Sequence, residues 1–160
     1  TAALLPRCRV IAGGATRQDS LALLAAQARG EWLLVHEAAR PFASVALFER
    51  VIATARCHGC AGAFLSPAVP VARLRDSRVI EAFAGSEVGI FQTPQVYARE
   101  DMARMLQQQE CVSGWLAQSP IQLALAAGID IRAVPGEAHN IKITSAEDWM
   151  VAQERVHLLA

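Results

Sequence analysis

Residues 32–65 read WLLV-HEAARPFA-SVALFERVIATARC-HG-CAGAFL, and this stretch decides the fold. Trp32 to Val35 is a continuous apolar run, the pattern of a strand covered on both faces. Ser44 to Cys57 places Val45, Phe48, Val51, Ile52 and Ala55 on one face of a helix, and Cys60 to Leu65 is apolar again. A strand, a helix and a second strand in succession predict parallel pairing with the helix laid across the sheet.

The alternation extends both ways. Cys8 to Ala12 reads as a strand ending at Gly13-Gly14, and Arg17 to Arg29 as a helix with Leu21, Leu24, Ala25 and Ala28 inward. Pro67 to Phe83, with its prolines and interleaved arginines, reads as an extended arm or hairpin. Phe91 to Gln95 leads into a helix over about Arg99 to Gln109. Pro120 to Ala127 is a short helix closed by Gly128, followed by a strand from Ile129 to Val134. The last helix turns Trp149, Ala152, Val156 and Leu159 to one side. The expected class is α/β, a mainly parallel sheet flanked by helices, with connections right-handed and ligands at the carboxyl ends of the strands.

The chain has 160 residues, fifteen basic against fifteen acidic, with no run of like charge. One domain is expected, with neither nucleic acid nor a membrane surface as partner. No apolar run approaches the ~18–20 residues that span a bilayer. The opening Thr1 to Arg7 is too short for a signal peptide and has no initiator methionine, as in a processed, engineered or partial product. Cys57-His58-Gly59-Cys60 has the C-x-x-C form, but no second cysteine or histidine pair stands at zinc-ligand spacing. Cys57 then reads as a helix-end residue and Cys60 as a core thiol. Cys8 and Cys111 complete the cysteines, and a reducing, cytoplasmic compartment fits.

Fourteen of the fifteen basic residues are arginine; the one lysine is Lys142. It lies in Asn140-Ile-Lys-Ile-Thr144, where alternation puts Ile141 and Ile143 on one side and Asn140, Lys142 and Thr144 on the other. Ser145 and Asp148 form a helix-start pair, so Lys142 projects just before a helix. Gly13 to Arg17, His36 to Arg40 and the Lys142 segment offer backbone N–H groups, a carboxylate, two guanidiniums and an ammonium. That set suits a phosphorylated ligand. His36 reads as a packed strand-end residue rather than a base.

Four motifs in order carry a family resemblance: Gly13-Gly-Ala-Thr-Arg-Gln-Asp-Ser20, Val35-His-Glu-Ala-Ala-Arg-Pro41, Gln92-Thr-Pro-Gln95 and Asn140-Ile-Lys-Ile-Thr144. They resemble the 2-C-methyl-D-erythritol 4-phosphate cytidylyltransferases of the non-mevalonate isoprenoid pathway, from about residue 8 onward. The H-x-A-A-R-P and N-I-K-I-T pieces are shared with ribitol-phosphate cytidylyltransferase.

The resemblance implies a Rossmann-like nucleotide-binding sheet, here lacking its first strands, and a homodimer paired through the arm, residues 67–83. Residues 1–160 would be the C-terminal part of one nucleotidyltransferase domain. It implies in-line attack of a polyol phosphate on the α-phosphorus of CTP, with Mg2+ held through the CTP phosphates and no metal ligands among the motif residues. Gly13, Gly14, Arg17, Ser20 and Ala38 would belong to the nucleotide side. Arg40 and Thr93 would belong to the polyol phosphate, and Lys142 and Glu37 to the reacting groups.

Four departures stand beside the matches. The family's first loop, G-x-G-x-R followed by P-K, is not within these 160 residues, so this chain alone is expected not to turn over. Glu37 replaces an aspartate, and a ~1 Å misplacement can cost ~100-fold in rate. In the arm, the family's D-T-I/L-K reads Arg73-Leu-Arg-Asp76, and its returning arginine aligns with Gly85. The family's T-D-D/E-A reads Gln118-Ser-Pro-Ile121. Three functions stay open: the family reaction, the same reaction on another polyol phosphate such as ribitol 5-phosphate, and a non-catalytic paralogue acting as a dimerisation or regulatory module.

Overall fold

The computed structural model describes residues 8–108 and 119–159, with backbone only for 157–159. Cys111, Gln118, the expected helix end at Gln109 and the Leu159 side chain lie outside the described residues. In chain order the elements are α1 (Arg17–Gln27), β1 (Trp32–Val35), α2 (Val45–His58), β2 (Cys60–Leu65), β3 (Val71–Arg75) and β4 (Arg78–Phe83). A 3-10 turn at Gly85–Glu87 precedes β5 (Ile90–Ala98), α3 (Arg99–Leu106), α4 (Pro120–Ala126), β6 (Arg132–Pro135) and α5 (Ala146–Leu159). The chain divides into two compact units: Thr1–Leu33 with Tyr97–Ile131, and Leu34–Val96 with Arg132–Ala160.

In the first unit, α3 buries Met102 and Met105 and packs on α4, which buries Ile121, Leu123 and Ala124. Each fully buried side chain of leucine or methionine size contributes about 1.5–3 kcal/mol relative to exposure. Arg99 ties the α1–β1 connection down: its guanidinium donates to the carbonyls of Gly30 and Ala28, both at 2.8 Å.

Three expectations fail here. Cys8 to Ala12 is not a strand, and Val10 is 74% exposed. No described strand pairs with the segment, and an unpaired strand has no ladder to hold it. Leu24 of α1 is exposed because LALLAA is apolar on every side of the helix and selects no one face. The strand expected at Ile129 begins only at Arg132, because the Ile129 N–H is taken by the Ala124 carbonyl at 2.9 Å in closing α4. Gly128, with φ of +68°, makes that reversal, as expected.

The sheet has the order β1-β5-β2-β6; β2 and β6, both within the second unit, are parallel with Ala61 opposite Arg132. Helix α2 packs on β2 and β6 through Leu47, Val51 and Ala55, all fully buried. Spacing of four residues thus sets the inward face. Val45, expected on it, is exposed beside the Ser44 cap. Cys57 is exposed at the helix end and Cys60 buried at the head of β2, as the sequence indicates.

β5 is a strand that the sequence reading passes over, since Gln92, Pro94 and Gln95 look like loop. All three are buried, and both glutamines are satisfied by hydrogen bonds. Val71 to Phe83 forms the expected hairpin, closed by Asp76 and Ser77 at positive φ, the backbone a two-residue turn requires. In α5, Ala152 is buried but Trp149 and Val156 are more than half exposed, so the expected apolar stripe does not form the contact face.

Candidate active site

The second unit gathers Glu37, Arg40, Thr93 and Lys142 into one hydrogen-bonded cluster. The loop after β1 turns tightly, with the Arg40 N–H donating to the Glu37 carbonyl at 2.9 Å. The Glu37 N–H donates to the Thr93 hydroxyl oxygen at 3.0 Å. Glu37 then bridges two cations: Oε2 accepts from Arg40 Nε at 2.9 Å and Oε1 from Lys142 Nζ at 2.6 Å. The Glu37 side chain is 14% exposed and the Lys142 side chain 35% exposed.

Arg40 is held on three sides in addition to any role the motif implies. Its remaining guanidinium nitrogens donate to the carbonyls of Asn140 at 3.0 Å and Phe91 at 3.1 Å, and the residue is buried. Its planar fork therefore joins three segments of chain. His36 lies against the Phe48 ring at 4.9 Å. Its Nε2 faces the Arg40 carbonyl at 3.1 Å, which can only accept, so the proton sits on Nε2. Nδ1 then accepts from the Thr93 hydroxyl at 3.1 Å. His36 is a packed, doubly bonded strand-end residue, as the sequence indicates.

Residues 136–144 form neither a paired strand nor a helix, so Lys142 does not stand at the end of a sheet strand. Asn140 does not share the face of Lys142. It is fully buried, with its amide donating to the Thr93 carbonyl at 2.9 Å. Its carbonyl also accepts from Gln92 at 3.2 Å. The other end behaves as expected: Ser145 and Asp148 cap α5, and the Asp148 pKa is lowered, first by the Thr144 N–H that it accepts.

In the first unit, Gly13, Gly14, Arg17 and Ser20 form a local motif. The Gly14 N–H donates to the Ser20 hydroxyl at 3.0 Å, and that hydroxyl donates to the Thr16 carbonyl at 3.0 Å. A Cβ at position 14 would stand 2.3 Å from Asp19 Cβ, so glycine is required for this close approach. Thr16 and Asp19 cap α1 reciprocally. Ala38 is exposed in the second unit, in the turn before Arg40.

The sequence profile of the 2-C-methyl-D-erythritol 4-phosphate cytidylyltransferases, IspD, matches residues 1–157. The chain belongs to this family. An IspD relative from Salinibacter ruber, named 2-C-methyl-D-erythritol 4-phosphate cytidylyltransferase, is 32% identical over 90% of this chain and 61% of its own length. The bifunctional IspD/IspF enzyme of Anaeromyxobacter dehalogenans is 39% identical over 88% of this chain and 37% of its own. The chain thus spans between about a third and two thirds of the relatives it matches. The crystal structure of the Thermus thermophilus cytidylyltransferase superimposes with a TM-score of 0.80 at 28% identity, over 92% of this chain and 72% of that one.

Within this IspD fold, the frame of the cluster is Gln92 and Asn140, motif residues given no role by the sequence reading, and Glu137, which it does not single out. Gln92 Nε2 donates to the Glu137 carbonyl at 2.9 Å, and its Oε1 accepts from the Glu137 N–H at 3.0 Å. A Cβ at Gly136 would meet that Oε1 at 2.4 Å, so position 136 must be glycine for Gln92 to read the backbone there. Among the described residues, no group of three His, Cys, Asp or Glu could hold a metal ion, and no helix is long and apolar enough to cross a membrane.

Proposed function

We propose that the protein to which this chain belongs transfers CMP from CTP to 2-C-methyl-D-erythritol 4-phosphate. A phosphate oxygen of the polyol forms the bond to the α-phosphorus, the α–β bridge breaks, and pyrophosphate leaves. One observation carries this reading: the single lysine of the family motif is held by Glu37 at 2.6 Å while about a third of it stays exposed. An ammonium has three donors, and a carboxylate occupies one side, leaving a fixed point charge for phosphate oxygens. Thr93, tied to His36 and to the Glu37 N–H, fixes that carboxylate and borders the substrate.

Gly13, Gly14, Arg17, Ser20 and Ala38 are proposed for the nucleotide, following the family motifs. Arg40 acts from behind Glu37, holding the cluster rather than the polyol. Magnesium would be bound through the CTP phosphates and would offset their charge. That fits a donor set in which both oxygens of Glu37 already accept from cations. The arm, residues 67–83, is proposed as the homodimer contact, residues 1–160 as part of one nucleotidyltransferase domain, and the cytoplasm as the compartment.

A second reading has its own support. Leu74 stands 63% exposed in the arm and Gly85 lies beyond it, where the family places hydrogen-bonding residues. A polar substrate group left unpaired there costs about 1–3 kcal/mol. Another polyol phosphate, such as ribitol 5-phosphate, or a non-catalytic dimerisation or regulatory role, follows from that loss. Pyrophosphate release by the full-length protein, with CTP and each polyol phosphate in turn, separates the readings. Turnover with methylerythritol phosphate supports the first, turnover with ribitol 5-phosphate alone the second, and no turnover the paralogue.

A further inference from the structure

Because residues 136–144 lack regular secondary structure, contacts along the segment rather than a ladder or helix set the position of Lys142. At the far end, Asp148 accepts from the N–H groups of Thr144 and Ser145 and from the Thr144 hydroxyl, each at 2.9 Å. In the middle, the Ile143 N–H donates to the Ala39 carbonyl at 2.8 Å, and Asn140 is buried beneath. At the near end stands Glu137, to which no family motif assigns a role.

The Glu137 carboxylate accepts from the Ser44 hydroxyl at 2.5 Å, the Ser44 N–H at 3.1 Å and Arg50 at 3.3 Å, and lies 3.1 Å from His139 Nε2. Ser44 caps α2, whose inward residues are fully buried, so the anchor is rigid. The Glu137 backbone is read on both sides by Gln92, and its carbonyl also accepts from the Asn140 N–H at 3.0 Å. Burial raises the Glu137 pKa, but the Ser44 and Arg50 hydrogen bonds and the charge of His139 outweigh it, and the net shift is downward. The carboxylate is therefore charged at neutral pH.

We propose that Glu137 is a positioning residue for Lys142: by fastening the start of the segment to Ser44 at the head of α2, it sets where the ammonium stands against Glu37. This rests on Lys142 serving the reacting phosphates, as argued above. The lever is short. Glu137 precedes Lys142 by five residues, and a displacement of ~1 Å at a reacting group can cost ~100-fold in rate.

The single lysine of this chain gives a test that needs no turnover. Acylation of the Lys142 amine, resolved to its peptide by mass spectrometry in the full-length protein, reports the Glu37 contact directly. In Glu137→Ala and in Ser44→Ala the acylation rate should rise about fivefold or more as the ion pair loosens, with Glu137→Gln intermediate. In turnover, Glu137→Ala should lower kcat/KM for CTP about tenfold or more, and should add nothing in a Lys142→Ala background. A rate of acylation unmoved in a folded Glu137→Ala protein would overturn the proposal, as would additive losses in the double variant. If Glu137→Ala does not fold, Ser44→Ala decides by the same readout. Acylation that responds in a protein without turnover would refute the proposed reaction and leave the positioning intact.

Discussion

Replacing Arg40 by lysine separates a structural role from a ligand-binding one. Arg40 serves three acceptors at once: Glu37 Oε2 at 2.9 Å, the Asn140 carbonyl at 3.0 Å and the Phe91 carbonyl at 3.1 Å. A lysine keeps the charge but has no planar fork to reach all three. The Asn140 carbonyl retains Gln92, so the losses concentrate on the Phe91 carbonyl and on the alignment of Glu37. A part-buried carbonyl left unmet costs ~1–3 kcal/mol and the weakening of a charged hydrogen bond ~1 kcal/mol, so the total is ~2–4 kcal/mol. At this chain length ~1 kcal/mol shifts Tm by ~2–4 °C, so Arg40→Lys should melt about 4–16 °C lower without any ligand present. Circular dichroism melting of the ligand-free protein measures this. A change under about 1 °C, with a loss seen only in polyol-phosphate binding, would refute the structural assignment.

Glu137 makes stability depend on acid. Its pKa is lowered below 4.5, so its contribution is present above that value and lost as pH falls through the folded-state pKa. The difference in Tm between wild type and Glu137→Gln should therefore shrink below pH 4.5, and a difference constant from pH 7 to about 3 would count against the carboxylate as the anchor. The arm exposes Val69, Leu74, Val79 and Ile80 on one hairpin and its approach. Sedimentation at about 50 µM should find a dimer that Val79→Asp dissociates, whereas a wild-type monomer at that concentration would exclude the arm as the contact.

Much of the fold was legible because local signals agreed. The apolar run at Trp32, the Ser44 cap and the run from Cys60 each specify an element without help from the rest of the chain. The failures are places where a distant partner decides. Cys8 to Ala12 has strand composition but no described neighbour to pair with. β5 has loop composition but is built into the sheet, because Gln92 reads the backbone around Glu137 and Gln95 donates to the Gln92 carbonyl at 3.0 Å. The same holds at the site. Lys142, Glu37 and Thr93 were visible as motif residues, and they do converge. That Arg40 is spent on carbonyls, and that Glu137 fastens the lysine segment, depends on contacts between residues 45–100 positions apart, to which spacing along the chain gives no clue.

Calorimetric titration of CTP into the full-length protein and its Lys142→Ala variant tests the central claim most directly. A charge-assisted contact to phosphate is worth ~1.5–3 kcal/mol, so the variant should bind CTP about tenfold or more weakly while melting close to wild type. Lys142→Arg should recover only part of the loss, since a fork does not replace a compact ammonium held 2.6 Å from Glu37. Unchanged CTP affinity in a folded Lys142→Ala protein would contradict the account and reduce the motif lysine to a partner of Glu37 alone.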